Sequence, residues 1–432
     1  MKIETFPRSI LVILSLVAIT LSLTLSARAQ VETVLYSFPS LGSNGANPDG
    51  GLIFDSAGNM YGVTELGGQT DCYRSTYGCG MVYEMSPNGT GGWTETPLYA
   101  FTGGTDGNFP TNNLVMDGAG NLYGVTVTGG DNSCNYPYGC GVVFELTPGS
   151  SGWTETVLHT FTSAATDGQG PNSLIRDAAG NLYGTTALGG ASNSGTVFKL
   201  SNGSSGWTES VLFSFDGATQ GANANGLVMD SSGNLYGTTG FGGNNSFCHQ
   251  GCGVVFKLVS GSVGWHETVL HAFNGPTDGI EPNGVILDAS GHLYGTTYYG
   301  GNTTCNTQGC GTVFGLAYGV SGWRESVIHK FSAADGKNPT ANLVEDASGN
   351  LYGTTFFGGN TNSECGSGYG CGVVFKLSKA SGRWLPSLTH VFHFADGAKP
   401  ASNLVFDAAG NLYGTAQDGG AHKYGAVFEI QP

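Results

Sequence analysis

Asp117-Gly118-Ala119-Gly120-Asn121-Leu122-Tyr123-Gly124-Val125-Thr126 is the stretch on which the fold turns, because the chain repeats it. Related segments of the form D-x-x-G-[NH]-[LM]-Y-G-x-[TA] begin at Asp55, Asp177, Asp230, Asp288, Asp346 and Asp407, so successive starts lie 53 to 62 residues apart. A fixed period of this size marks a repeat architecture, and it exceeds a β-helix coil while sitting near the upper range for propeller blades. Within the unit, an Asp that can bond backbone donors and a Gly that accepts positive φ make a tight turn between two apolar runs.

Working outward, the unit around Asp117 holds four strand-like runs: Leu114–Met116, Leu122–Thr126, Val142–Leu146 and Trp153–His159. All are short, rich in β-branched and aromatic residues, and bounded by Gly, Asn, Asp or Ser. The ends of the chain decide how the units assemble. The last copy stops after its third run, Ala426–Ile430, while Glu32–Phe38 reads as a fourth run belonging to no unit. The expectation is an all-β, seven-bladed β-propeller over residues 30–432, closed by an N-terminal strand that completes the last blade and leaves no long sheet edge.

The unit D-x-x-G-N-L-Y-G-T-T-x-x-G-G, then G-x-V-F-K-L, then W-x-E-x-V-L-x-x-F, resembles the GloVer tandem repeat of the exported bacterial "choice-of-anchor tandem repeat GloVer-containing" proteins. The resemblance spans the repeat region. It implies a repeat-built surface or secreted protein and brings no catalytic residues with it. Such proteins carry variable C-terminal anchors; this chain ends at Gln431-Pro432, which speaks against covalent or membrane anchoring.

Residues 1–29 read as a signal peptide: Lys2 and Arg8 precede an apolar Ile10–Leu25 run, and Ala27-Arg28-Ala29 forms a cleavage site. The apolar run is short for a membrane span, so the expected mature protein is exported, without a span, and monomeric. With 31 Asp and Glu against 15 Lys and Arg, the net charge is −16. An acidic surface of this kind repels phosphate backbones and excludes nucleic acid as a partner. Abundant Gly (74 residues) with 39% hydrophobic content suits many short strands and argues against disorder.

The ten cysteines form five close pairs: Cys72 with Cys79, Cys134 with Cys140, Cys248 with Cys252, Cys305 with Cys310, and Cys365 with Cys371. Each pair falls between the second and third runs of a unit. Units three and seven lack both members and have short connections there, so the pairs are expected to be local disulfides and not ligands of a shared metal.

Strand order puts these clipped connections on one face, together with the loops that carry Asp106-Gly107, Asp167-Gly168, Asp278-Gly279, Asp335-Gly336 and Asp396-Gly397. Function is expected on that face. Tyr73, Tyr77, Tyr136, Tyr138, Phe241, Phe247, Tyr298, Tyr299, Phe356, Phe357 and Tyr369 there could form a sugar-stacking rim or pack between blades. Asp106, Asp278 and Asp335 could bind a ligand or a structural Ca²⁺, or could be turn residues. His159, His271, His329 and His390 recur at one position where Tyr36, Tyr99 and Phe213 also stand, which reads as packing. No other cofactor is expected, and no catalytic motif is present.

The leading expectation is a non-catalytic binding or scaffold propeller for an extracellular or envelope glycan or protein. A lyase or hydrolase with its site at the axial mouth is the alternative, and a structural envelope component a third.

Overall fold

The structure, a computed structural model, describes residues 31–431 apart from 70–71, 73–75, 135–137, 244–246, 306, 361–364 and 367. The proposed leader therefore lies outside the described residues. The chain begins with β1 (Val31–Ser37) and then winds through the blades in order. Blade 1 comprises β2 (Ala46–Pro48), β3 (Ile53–Phe54), β4 (Met60–Leu66), β5 (Met81–Pro87) and β6 (Trp93–Ala100). Blade 2 is β7 (Asn108–Met116), β8 (Leu122–Thr128), β9 (Val142–Gly149) and β10 (Gly152–Thr160). Blade 3 is β11 (Gly168–Arg176), β12 (Leu182–Gly189), β13 (Thr196–Gly203) and β14 (Gly206–Ser214). Blade 4 is β15 (Ala222–Met229), β16 (Leu235–Phe241), β17 (Val254–Gly261) and β18 (Gly264–Ala272). Blade 5 is β19 (Ile280–Leu287), β20 (Leu293–Tyr299), β21 (Thr312–Gly319) and β22 (Gly322–Lys330). Blade 6 is β23 (Val344–Glu345), β24 (Leu351–Thr355), β25 (Val373–Ala380) and β26 (Arg383–Val391). Blade 7 takes β27 (Val405–Phe406), β28 (Leu412–Ala416) and β29 (Ala426–Gln431) from the chain end and β1 as its outer strand.

Seven antiparallel sheets in a ring make a seven-bladed β-propeller. Its closure follows the expected clasp: β1 pairs antiparallel with β29 from Val31 opposite Gln431 to Ser37 opposite Ala426. Phe38 then donates its N–H to Gly425 O at 3.0 Å, as Phe161 does to Gly141 within blade 2. Equivalent phenylalanines, Phe38, Phe101, Phe161, Phe215, Phe273, Phe331 and Phe392, are fully buried.

The repeated Asp builds the turn. Asp117 Oδ1 accepts the N–H groups of Ala119 and Asn121, and its Oδ2 accepts from the Asn121 amide and the Tyr123 hydroxyl. Gly120 sits at φ 85°, which a side chain would strain. Tyr123 is packed edge-on by Trp207 of the next blade, and Tyr61 likewise by Trp153, so each apolar core straddles two blades.

Candidate functional site

All five cysteine pairs are disulfides, with Cα–Cα separations of 5.2 to 5.6 Å. Cys72 is joined to Cys79, Cys134 to Cys140, Cys248 to Cys252, Cys305 to Cys310, and Cys365 to Cys371. Each bond clips a connection between second and third strands. The later member of each pair, Cys79, Cys140, Cys252, Cys310 or Cys371, is buried in the core that its blade shares with the next. The cysteines therefore anchor the loops to the core and are not side chains offered to a ligand. Bonds of this number mark a chain that folds outside the reducing cytoplasm, and no described helix is long and apolar enough to cross a membrane.

Around the axis, the first strands expose amides. Asn112, Asn172, Asn225, Asn283, Asn342 and Asn403 line a cavity of about 210 Å³ with Asp49. Most of these amides join neighbouring blades: Asn172 donates to Ala224 O at 2.7 Å, Asn225 to Pro282 O at 2.9 Å and Asn283 to Pro339 O at 2.7 Å. Asn112 donates likewise to Asn172 O. Blade 1 breaks the pattern with Asp49, whose carboxylate accepts from Thr111 and Gln417. The sequence reading missed this girdle, although Asn one or two residues before the apolar core position (Leu114, Leu174, Leu227) was its visible signal.

Above the girdle, on the clipped face, the repeat stops repeating. The residue after the fifth buried position of the second strand (Thr64, Thr126, Thr186, Thr239, Thr297, Thr355 or Ala416) is Glu65, Val127, Ala187, Gly240, Tyr298, Phe356 or Gln417, by blade. Gln417 reaches Asp49, and a Cβ placed on Gly240 would lie 3.8 Å from Asn225, so this register rings the axial mouth. Burial, with Asp49 adding its charge, raises the Glu65 pKa. A second varied position precedes the loop proline, or Ala224 in blade 4. Asn47, Phe109, Asn223, Glu281, Asn338 and Lys399 stand there at φ between 52° and 58°, with Gly170 at 62°. For Phe109, Glu281 and Lys399 this left-handed backbone is strained, and strain of this kind collects at functional sites.

The aromatic candidates divide. Tyr298 and Tyr299, half-buried at the end of β20, pack edge to face at 4.6 Å. Burial raises the hydroxyl pKa of both, with Glu281 adding to it. Phe356 and Phe357 repeat that arrangement at 4.7 Å one blade on, with Lys399 over Phe356 and Lys337 over Phe357 and Tyr369. Phe241 lines a separate open depression of about 780 Å³ between blades 3 and 4, with Leu188, Asn193, His249 and Gln250. That depression exists because blade 3 has only the short Ala191–Ser194 connection beside the long clipped loop of blade 4. Tyr138 is 55% exposed and stands apart from both; Tyr73 and Tyr136 lie outside the described residues.

The three candidate aspartates face the outer strands, not the axis. Asp106 accepts from the Thr102 N–H and hydroxyl at 2.7 and 2.6 Å and from the Tyr99 hydroxyl at 3.1 Å. Asp278 meets His271 Nε2 at 3.2 Å and the Asn274 N–H, and Asp335 meets His329 Nε2 at 3.0 Å and the Ser332 N–H. Burial opposes the charge of Asp278 and Asp335, yet these bonds hold both below the usual carboxylate range. The recurrent histidines thus each serve one aspartate of their own blade's loop.

The class defined so far is a disulfide-clipped propeller with a divergent axial mouth. The chain belongs to the Gloeobacter/Verrucomicrobia repeat family, whose model matches residues 72–248, 205–364 and 247–432. No curated protein matches it. Among solved structures it is similar to a domain of B. thetaiotaomicron described as the extracellular part of a one-component system. That match has 9% identity and a TM-score of 0.53, covering 93% of this chain and 40% of that one, and it supports the fold alone. It is also similar to the periplasmic gluconolactonase of Pseudomonas aeruginosa at 16% identity and TM-score 0.49, covering 84% and 94%.

Proposed function

We propose that the protein is a non-catalytic binding propeller that holds an extracellular or envelope glycan at the axial mouth of its clipped face. One observation carries this reading: seven near-identical blades diverge at the position that rings the mouth. One arc supplies Tyr298 and Phe356, and the adjoining arc supplies Gln417, Glu65 and Asp49. Aromatic faces stack on the apolar face of a sugar ring, while carboxylates and amides accept and donate to its hydroxyls. Small residues, Ala187 and Gly240, leave the far rim low.

The test is a glycan-array screen followed by calorimetry on the best saccharide. Tyr298→Ala/Phe356→Ala should lower affinity at least tenfold, and Phe241→Ala should leave it unchanged. Loss in Phe241→Ala alone would move the site to the depression between blades 3 and 4, and no glycan binding at all would overturn the reading.

Asp49 and Glu65 favour one second reading, a hydrolase at the same mouth. They are non-repeated acids close enough for one to raise the other's pKa, as a general acid and its charged partner require. Turnover of a saccharide or lactone that vanishes in both Asp49→Asn and Glu65→Gln would establish it.

A further inference from the structure

The seams between blades hold a second, outward-facing pattern. The outer strand of six blades carries one Glu in the W-x-E register: Glu32, Glu95, Glu155, Glu209, Glu267 and Glu325. In every one, Oε1 is buried without a hydrogen-bond partner. What each Glu meets on the preceding blade differs. Glu95 meets Tyr36 and Asn44, and Glu155 stands by Tyr99 and Asp106. At the seam of blades 2 and 3, Glu209 meets His159 and Asp167; at that of blades 6 and 7, Glu32 meets His390 and Asp396. In these two clusters one donor atom from each of the three side chains lies within 4.8 Å of the others.

We propose that these two seams are sites for a divalent first-row metal ion of the Zn²⁺ type, each held by one histidine and two carboxylates. His159 Nε2 and Asp167 Oδ1 are 3.3 Å apart, and His390 Nε2 and Asp396 Oδ2 are 3.4 Å apart. Ligands about 2.0–2.1 Å from a tetrahedral Zn²⁺ stand about 3.3 Å from each other, with the fourth position left to water. The donor set, imidazole with carboxylates, suits zinc better than calcium, which takes oxygen ligands. His390 Nε2 is itself buried and makes no hydrogen bond. The Asp167 carboxylate is already oriented by the N–H groups of Thr162 and Gly168, the support that metal-binding carboxylates usually have. Among the described residues no lysine or arginine forms an ion pair with either cluster, so the histidine is the one basic side chain paired with its acids. An ion here joins one blade's outer strand to the next, and at the second seam it pins the clasp strand β1 to blade 6.

The experiment uses mature protein without a histidine tag, stripped with chelator and titrated with Zn²⁺ by calorimetry, with metal content measured after dialysis. At least two equivalents per chain are expected. Glu32→Gln/Glu209→Gln should remove two of them while preserving the β circular-dichroism signal, and Glu155→Gln, whose seam has Tyr99 where the two proposed sites have histidine, should remove none. A wild-type readout covers poor folding of the double variant: Zn²⁺ should slow carbethoxylation of His159 and His390, and leave His329, whose seam has Pro386 in the Glu register, unprotected. Substoichiometric Zn²⁺, retention of both equivalents in the double variant, equal retention of Ca²⁺, or absent protection of His159 and His390 would each overturn the proposal.

Discussion

Replacing Phe38 by Ala tests whether the ring is closed as firmly at its clasp as it is within a continuous blade. Phe38 is fully buried, stands edge-on to Tyr83 at 5.3 Å and to Tyr36 at 5.1 Å, and belongs to the core shared by blades 7 and 1. Phe161, its counterpart in blade 2, is equally buried and sits 5.1 Å from Phe198. Truncating a buried Phe typically costs about 3–5 kcal/mol, the lost transfer energy plus the cavity left behind. If the clasp is as well packed as the structure shows, Phe38→Ala and Phe161→Ala should be destabilised by the same amount to within about 1 kcal/mol. Urea unfolding at neutral pH with the disulfides intact reads both. A cost below about 1 kcal/mol for Phe38→Ala, beside a full cost for Phe161→Ala, would mean that β1 leaves its blade readily and that closure adds little.

Replacing both Cys305 and Cys310 by Ser should cost about 2 kcal/mol, the loop-entropy value for so short a closure. Its effect should be confined to faster amide exchange in the blade 5 loop, and collapse of the β signal would refute a local role. A pH effect is expected from the seams. Burial, with Asp106 and Asp216 adding to it, pushes the carboxyls of Glu155 and Glu267 up to about 7. A carboxyl raised in the folded state binds its proton there more tightly than in the unfolded chain. Its contribution is complete below the unfolded value and is lost as pH rises through about 7. Glu155→Gln/Glu267→Gln should therefore gain on the wild type between pH 5 and pH 8, by about 1 kcal/mol per site after solvent screening. Urea midpoints at the two pH values measure it, and an unchanged or inverted difference would rule it out.

The sequence declared the ring because its information is repeated: the Asp turn occurs seven times, and an outer strand stands spare at one end where the other end lacks one. The cysteines were legible for a related reason, since they vanish in pairs where the connection shortens. Their depth was not: that Cys79, Cys140, Cys252, Cys310 and Cys371 sink into the core follows from how the third strand packs between blades. What sets the mouth apart is hidden from the same comparison of repeats. Glu65, Gln417, Tyr298 and Phe356 share a register but no chemistry, and only the sheet shows that the register faces the axis. The left-handed backbone at Phe109, Glu281 and Lys399 was equally hidden, because a residue before proline is expected to be extended. The histidines read as packing residues in the sequence, because Tyr36, Tyr99 and Phe213 stand at the same position. The partners of His159 and His390, an aspartate in the next loop and a glutamate on the following blade's outer strand, are brought together only when the blades pack.

Repetition and divergence therefore fall on different parts of the same strand. Toward the axis, amides such as Asn172 and Asn225 bond the next blade's carbonyls, so the floor of the mouth is held by the residues that close the ring. Side chains at the rim can then vary without disturbing the fold, and they are presented from rigid strands that have little ordering entropy left to lose on binding. A ligand that met the rim only through the clipped loops would lack that advantage. This is the physical ground for placing recognition at the strand ends around the axis, with the disulfide loops as its walls.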